Sequence, residues 1–348
     1  MRHVRKVSFP AIAVLALAIG LSGSASATPA DVGRPDSGPT VLSSPALLDD
    51  GTAVDSAADG KRLAEYWTPE RMAAALPPHV PDPTTALRAG KAPGPDGEPS
   101  AVAPLETPAS AAKGSGTPEG PTAEPRIPQS SKTGRVFYRD PIRGTSHACT
   151  ASMVNSGSRQ LVLTAGHCVH TGPVNGRPGA FMTHWTYVPG FRSGQRPYGV
   201  FWAKRMTTFA SWASHGDVGR DVAFVVTELV NGRKLGDVTG GWGIAFNQPK
   251  SMNYMLNGYP SNHGGGNVQQ YCGIVVSAQH PSDPSRIYVA CAWAEGASGS
   301  PFLAAFNQQT LMGYANGVQT QWGCCQYAIS PYFDNGVMQL YRSVADVT

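Results

Sequence analysis

Short runs of β-branched and aromatic residues, separated by Gly, Pro, Asn and Ser, recur from about Gly134 onward. Examples are Arg135–Tyr138, Gln160–Thr164, Val222–Thr227, Gly273–Ser277, Ile287–Ala290 and Leu311–Ala315. Strands of this length between turn residues predict an antiparallel sandwich or barrel rather than alternating βα units. One later stretch, Val337–Arg342, predicts a helix near the C-terminus.

The first 27 residues have the pattern of a secretory signal peptide. Three basic residues precede an apolar stretch from Val7 to about Leu21, and an Ala-x-Ala sequence ends at Ala27. Because the apolar stretch is short and Pro10 interrupts it, we expect cleavage after Ala27 rather than a membrane anchor. The mature chain is then secreted into an oxidising environment, where its six cysteines can form disulfides.

The next segment, residues 28–133, reads as a Pro/Ala/Gly-rich acidic pro-segment and linker. Its composition offers little apolar surface for burial, so we expect a largely disordered leader. One part, Leu63–Leu76, is amphipathic: Thr68 can cap a short helix whose first residue is Pro69. Residues 28–126 carry 8 basic and 14 acidic residues, whereas residues 127–348 carry 16 and 9. These opposite net charges predict a pro-segment that docks on the domain at residues 134–348.

The overall composition removes several classes of protein. Gly (40) and Pro (30) are too frequent for a helical bundle or a coiled coil. A formal charge of +4 and an isoelectric point near 8.7 are too mild to indicate nucleic-acid binding.

Three short segments carry candidate chemistry: Thr164–Cys168, Gly219–Val225 and Gly296–Pro301. Hydrolysis by a serine nucleophile needs a base for the hydroxyl proton, a carboxylate that orients the base, and N–H groups where the oxyanion develops. His167, Asp221 and Ser298 supply these residue types. Glycines beside Ser298 allow the backbone to approach a reacting carbonyl.

Two rival interpretations are excluded, one by the order of the residues along the chain and one by the lack of further metal ligands. No histidine follows Ser298, whereas an α/β-hydrolase needs its histidine after the nucleophile. His167 and His170 lie three residues apart, but no Glu or further ligand stands nearby, so we expect no metal and no cofactor. Asp217 competes with Asp221 for the orienting role, but only Asp221 directly precedes an apolar run.

Taken together, in the order His, Asp, Ser, these motifs resemble those of the trypsin-like (chymotrypsin-fold) serine peptidases, in particular the bacterial secreted branch that includes the glutamyl endopeptidases. The resemblance covers about residues 134–341. It implies an all-β fold of two antiparallel six-stranded barrels with the site between them. It also implies that His167 is the general base, Asp221 its orienting carboxylate and Ser298 the nucleophile. The amides of Gly296 and Ser298 would form the oxyanion hole, and Cys149 would pair with Cys168.

The same resemblance suggests where the substrate binds and where this chain departs from its relatives. The strand that pairs with the substrate backbone would be Asn316, Gly317 and Val318, with Trp293 in the pocket wall. Glutamyl-specific relatives carry a histidine where this chain has Ala315, so glutamate preference is not expected. Animal-type members place Asp before the nucleophile; here Ala297 cannot hold a newly formed N-terminal amine.

The remaining cysteines are less constrained. Cys272 and Cys291 flank a predicted strand pair and can bridge within the second barrel. The adjacent Cys324 and Cys325 can form a vicinal disulfide, or each can pair elsewhere.

Two functions fit this sequence. The first is a secreted, monomeric serine endopeptidase made as a pre-pro-protein, which cleaves protein or peptide substrates through an acyl-enzyme and binds neither membrane nor nucleic acid. The second is a catalytically silent or slow relative that binds an extracellular polymer or protein.

Overall fold

The computed structural model describes residues 39–80, 97–109, 127–323 and 326–348. The predicted signal peptide at residues 1–27 lies outside these ranges. Among the described residues, no helix is both long enough and apolar enough to span a membrane. Sixteen strands dominate these ranges: β1 (Val41–Pro45), β2 (Ser100–Val102), β3 (Thr133–Asp140), β4 (Thr145–Met153), β5 (Leu161–Thr164), β6 (Thr183–Pro189), β7 (Phe201–Phe209), β8 (Ala223–Thr227), β9 (Gly243–Phe246), β10 (Asn253–Gly258), β11 (Gln270–Gln279), β12 (Arg286–Ala290), β13 (Pro301–Asn307), β14 (Met312–Val318), β15 (Gln321–Gly323) and β16 (Tyr327–Pro331).

Helices are few and short. The described α-helices are α1 (Ala57–Tyr66), α2 (Pro69–Ala73), α3 (Ala210–His215), α4 (Leu235–Thr239) and α5 (Asn335–Val344). Single turns of 3-10 helix occur at Gly166–Cys168, Val218–Arg220 and Gly264–Gly266.

The first half of the domain is a closed barrel of six strands. Strands β7, β6, β3, β4, β5 and β8 follow one another in hydrogen-bonded order, and β8 pairs back onto β7. Every pair is antiparallel. The first predicted six-stranded barrel is therefore confirmed.

The second half is a sheet of nine strands in the order β15-β16-β12-β11-β10-β13-β14-β9-β2. It has three strands more than the predicted six-stranded barrel, because β9 joins β14 in parallel, β2 from the leader adds to β9, and the short β15 adds to β16. No pairing among the described strands closes it. Its inner face shares a core with the first barrel, where Leu163 and Phe224 meet Leu303.

The predicted C-terminal helix is present as α5. Asp334 caps it by accepting the N–H of Val337 at 3.1 Å, and Arg220 binds both carboxylate oxygens of Asp334 at 2.8 Å. Leu340 and Tyr341 are buried in the core shared by the two halves. The helix therefore fixes the two halves against each other from the C-terminal side.

The leader carries more structure than its composition predicts. Strand β1 pairs with β7 over five residues and becomes a seventh strand beside the first barrel. The predicted helix cap is present, because Thr68 accepts the N–H of Arg71 and Pro69 opens α2, but the helix ends at Ala73 and a separate helix, α1, precedes it. The leader has few apolar residues, but Leu63, Trp67 and Met72 are fully buried. This burial explains why residues 39–80 are folded.

Candidate active site

His167 and Asp221 are brought together by the pairing of two neighbouring strands. In the antiparallel register of β5 and β8, Thr164 lies opposite Ala223. The chain that leaves β5 turns into the 3-10 helix that carries His167, and Asp221 stands two residues before β8. Both side chains therefore lie at the same end of the strand pair.

Asp221 holds His167 through two hydrogen bonds. Its Oδ2 lies 2.8 Å from His167 Nδ1, and its Oδ1 accepts the His167 backbone N–H at 2.7 Å. Both side chains are 1% exposed. A Cβ at Gly166 would lie 2.8 Å from Asp221 Oδ1, so only glycine permits this close approach. The other ring nitrogen, His167 Nε2, has no hydrogen-bond partner within the described ranges.

Ser298 lies in a turn that is anchored to β4. The N–H of Thr150 donates to the Ser298 carbonyl at 2.8 Å, and the Thr150 hydroxyl donates to the Gly296 carbonyl at 3.1 Å. The preceding residue, Cys149, forms a disulfide with Cys168, which follows His167. Strand β4 thus connects the segment that carries Ser298 with the segment that carries His167.

The turn leaves two backbone N–H groups available. Within the described part of the chain, the amides of Gly296 and Ser298 donate no hydrogen bond, whereas the Gly299 amide donates to Gln319 O at 2.7 Å. Gly296 and Gly299 adopt φ of +83° and +85°, a conformation that favours glycine. Two free amides in one turn, one of them at the serine, can donate together to a developing oxyanion.

The rival groups near the site have other partners. Asp217 accepts the Gly219 N–H at 3.1 Å and caps the 3-10 helix before Asp221, and burial raises its pKa. His170 accepts the Gly172 N–H at 3.0 Å, and burial lowers its pKa to about 4. Cys149 and Cys168 lie close to His167 but are joined in a disulfide, so they offer no thiolate to a metal.

The residues predicted to bind substrate lie inside the protein. Asn316 is held by Tyr254, whose hydroxyl donates to Oδ1 at 2.6 Å, and its amide donates to Ala245 O at 2.7 Å. Val318 pairs with Pro301 and donates its N–H to Ser330 Oγ. Gly317 packs against Phe302 and Ser330. Trp293 is also buried, among the side chains of Cys291, Ala297 and Phe302.

Two residues that the sequence analysis did not single out, Gln319 and Thr320, directly follow Val318. Gln319 exchanges backbone hydrogen bonds with Gly299 and Ser300, directly after Ser298, and its side-chain amide donates to Trp293 O at 3.4 Å. Gln319 Oε1 and Thr320 Oγ1 are buried without a partner in the described ranges. The sequence could not place them beside Ser298, because that register depends on the β-bulge irregularities between β13 and β14.

Beyond Thr320 the chain enters β15, the last strand of its sheet. Its only strand partner in the described ranges is β16, and its other edge pairs with no described strand. Trp322 on this strand is 53% exposed. The edge without a described strand partner near the Ser298 turn therefore lies at β15 rather than at residues 316–318.

Two of the expected disulfides are present. Cys149 pairs with Cys168, and Cys272 pairs with Cys291. Cys324 and Cys325 lie outside the described residues.

Solved structures of bacterial proteases share this fold, although no protein-family model and no curated protein matches the chain. Protease Anisep from Arthrobacter nicotinovorans is 29% identical, with a TM-score of 0.57, over 62% of this chain and 96% of that one. The thermostable serine protease AL20 from an extremophilic microorganism is 28% identical, with a TM-score of 0.58, over 63% of this chain and 99% of that one. A Glu endopeptidase matches at 17% identity and a TM-score of 0.48, over 66% and 96%, which is too distant to bear on substrate preference.

The two nearer likenesses extend over almost the whole length of proteins that are themselves serine proteases. They agree with the closed first barrel. The chain has the chymotrypsin-like fold and is similar to serine proteases of the trypsin-like kind.

Proposed function

We propose that the protein is a secreted serine endopeptidase in which Ser298 is the nucleophile, His167 the general base and Asp221 the carboxylate that orients the base. The observation that carries this proposal is the arrangement of His167. Asp221 accepts from both its Nδ1 and its backbone N–H, which leaves Nε2 as the nitrogen that can accept a proton.

The proposed reaction has two halves. As Ser298 Oγ bonds to the substrate carbonyl carbon, its proton passes to His167 Nε2, and the amides of Gly296 and Ser298 bind the oxyanion. The C–N bond then breaks, and the imidazolium gives its proton to the leaving amine, so the acyl group stays on Ser298. Water attacks this ester and gives one proton to His167; the bond between the acyl carbon and Ser298 Oγ then breaks, and the imidazolium returns the proton to Oγ, which releases a carboxylic acid and restores Ser298 and His167. The Asp221 carboxylate stabilises the imidazolium through its hydrogen bond to Nδ1.

The pattern of residues 1–27 and the two disulfides support export as a pre-pro-protein. We propose that the leader is the enzyme's own pro-segment, that the enzyme is a monomer without cofactor, and that its substrates are proteins or peptides rather than nucleic acid or membrane.

Titration with an activated fluorophosphonate tests this function. We expect stoichiometric labelling of Ser298, which Ser298→Ala abolishes together with peptide hydrolysis. Ser300→Ala is the matched control, because Ser300 lies two residues away in the same turn and its hydroxyl has no partner in the described ranges. A folded wild-type protein that takes no label and cleaves no peptide would overturn the proposal and favour the binding module.

A further inference from the structure

The leader residues 39–80 are built into the first barrel. Trp67 is fully buried against Phe137, with ring centroids 5.6 Å apart, and its Nε1–H donates to His184 O at 2.7 Å. Leu63 and Met72 are also fully buried. A surface that encloses three large apolar side chains of the leader exposes apolar area if the leader departs.

Backbone pairing extends this attachment. Strand β1 pairs with β7 from Val41 opposite Phe209 to Pro45 opposite Arg205. The pairing continues where the Ala46 N–H donates to Lys204 O. These bonds are formed within one sheet and do not depend on net charge.

Charge contributes little to the attachment. In the described ranges, the ion pairs that join residues 39–80 to the domain all involve Asp49, with Arg139 and His184. The remaining ion pairs of this segment lie within the leader itself. Binding should therefore survive salt that screens exposed charges.

The end of this segment lies beside the candidate active site. The Leu76 N–H donates to Ser146 O at 2.9 Å, the Ala148 N–H donates to Leu76 O at 2.8 Å, and His147 Nδ1 bonds Pro77 O at 2.7 Å. Residues 146–148 directly precede Cys149 and Thr150, which contact both halves of the site.

The direction of proton transfer indicates which half of the substrate lies near residues 146–148 and the leader segment paired with them. The acyl half of the substrate faces the amides of Gly296 and Ser298. The leaving amine must face His167 Nε2, from which it receives its proton. The leaving half therefore continues past His167 and the Cys149–Cys168 disulfide, towards residues 146–148 and the leader segment paired with them.

We propose that residues 39–80 remain bound as part of the active enzyme after the chain is cut beyond residue 80, and that residues 76–80 form a wall that selects the residues following the scissile bond. This inference rests on the proposed function. Leu76 is suited to such contact because its side chain is 51% exposed although its backbone is fixed on both sides.

Retention is tested by placing a specific protease site within residues 81–96 of the full chain and cutting there. We expect the fragment containing residues 39–80 to co-elute with the domain on gel filtration in ~1 M NaCl, where charges are screened beyond about 3 Å. Separation of the fragment, with the ester hydrolysis of the domain kept or raised, would overturn the inference.

The wall is tested with two substrates that share one acyl group: a small ester and a set of peptides with different residues after the scissile bond. We expect Leu76→Ala to change kcat/KM for peptides with an apolar residue at that place roughly tenfold, and to leave the ester unchanged. Leu229→Ala, a leucine of similar exposure (45%) outside the site, is the control and should change neither. Equal effects of Leu76→Ala on ester and peptides, or none, would refute the wall. Loss of ester hydrolysis and of Ser298 labelling in the wild type would instead refute the proposed function.

Discussion

Replacing Asp221 with Asn changes one atom of the candidate site and should reverse the tautomer of His167. Asp221 faces two donors, the backbone N–H and Nδ1 of His167. Because the backbone N–H can only donate, the asparagine must turn its carbonyl oxygen towards it. The NH₂ group then faces Nδ1, so Nδ1 must accept and the proton moves to Nε2.

The size of the effect follows from that reversal. With a proton on Nε2, His167 cannot accept the Ser298 proton, and the imidazolium loses its adjacent negative charge. A wrong tautomer in such a triad lowers kcat by about 10⁴-fold. At 1.36 kcal/mol for each factor of ten, this corresponds to about 5 kcal/mol of lost transition-state stabilisation. Folding should change little, because asparagine has the shape of aspartate.

The assay compares kcat of the wild type, Asp221→Asn and Asp217→Asn on one peptide at neutral pH, with thermal unfolding as a check on the fold. Asp217 caps the neighbouring 3-10 helix and does not contact His167, so its variant should keep kcat within a few-fold. A kcat for folded Asp221→Asn within tenfold of the wild type would refute the role given to Asp221, as would an equal loss in the Asp217 variant.

Three further results are expected. Gln319→Leu removes a buried oxygen without a partner together with the amide that donates to Trp293 O, so urea unfolding should show stability changed by no more than about 1 kcal/mol. A peptide-library profile should shift away from hydrogen-bond-donating residues before the scissile bond; an unchanged profile would contradict this. Burial holds the pKa of His170 at about 4, below the ~6.5 of the unfolded chain. The unfolded state then binds more protons as the pH falls from about 6.5 towards 4, and stability should decrease by about 2 kcal/mol between pH 8 and pH 5, a decrease that is smaller in His170→Asn. Replacing Cys149 and Cys168 with Ala opens a loop with a sequence separation of 19 and should cost roughly 3 kcal/mol in urea unfolding, with activity per folded molecule also reduced because Cys168 adjoins His167.

The first barrel could be predicted, and candidate triad residues could be proposed, because each signal is local. His167, Asp221 and Ser298 each stand in a short motif at a strand end or a tight turn, where glycine and flanking apolar residues are visible in the sequence. The motif order then restricts the fold. The relation between the motifs, a hydrogen bond between residues 54 positions apart, becomes visible only in the register of β5 and β8.

The residues around the substrate could not be predicted in the same way. The position of the residues after β14 relative to Ser298 depends on the register shifts between β13 and β14. Residues 316–318, the strand expected to bind substrate, are buried in β14, whereas β15 lies at the end of the sheet. Neither the composition nor the hydrophobic periodicity of the sequence reveals these register shifts.

The leader was underestimated for a related reason. Its low apolar content predicts disorder only if its few apolar residues stay in water, yet Leu63, Trp67 and Met72 are fully buried. Their partners lie on strands more than sixty residues away in the chain, such as Phe137 on β3. Composition counts apolar residues but cannot reveal a complementary surface elsewhere in the same chain.

Strand β4 links the leader to both parts of the candidate site. Within three consecutive residues, Ala148 bonds the leader, Cys149 is linked to the segment of His167, and Thr150 bonds the Ser298 turn. A strand is stiff along its length, so a shift of one of these residues moves the other two. A shift of the described leader segment can therefore be transmitted through β4 to both the base and the nucleophile, and we expect removal of that segment to alter catalysis as well as access.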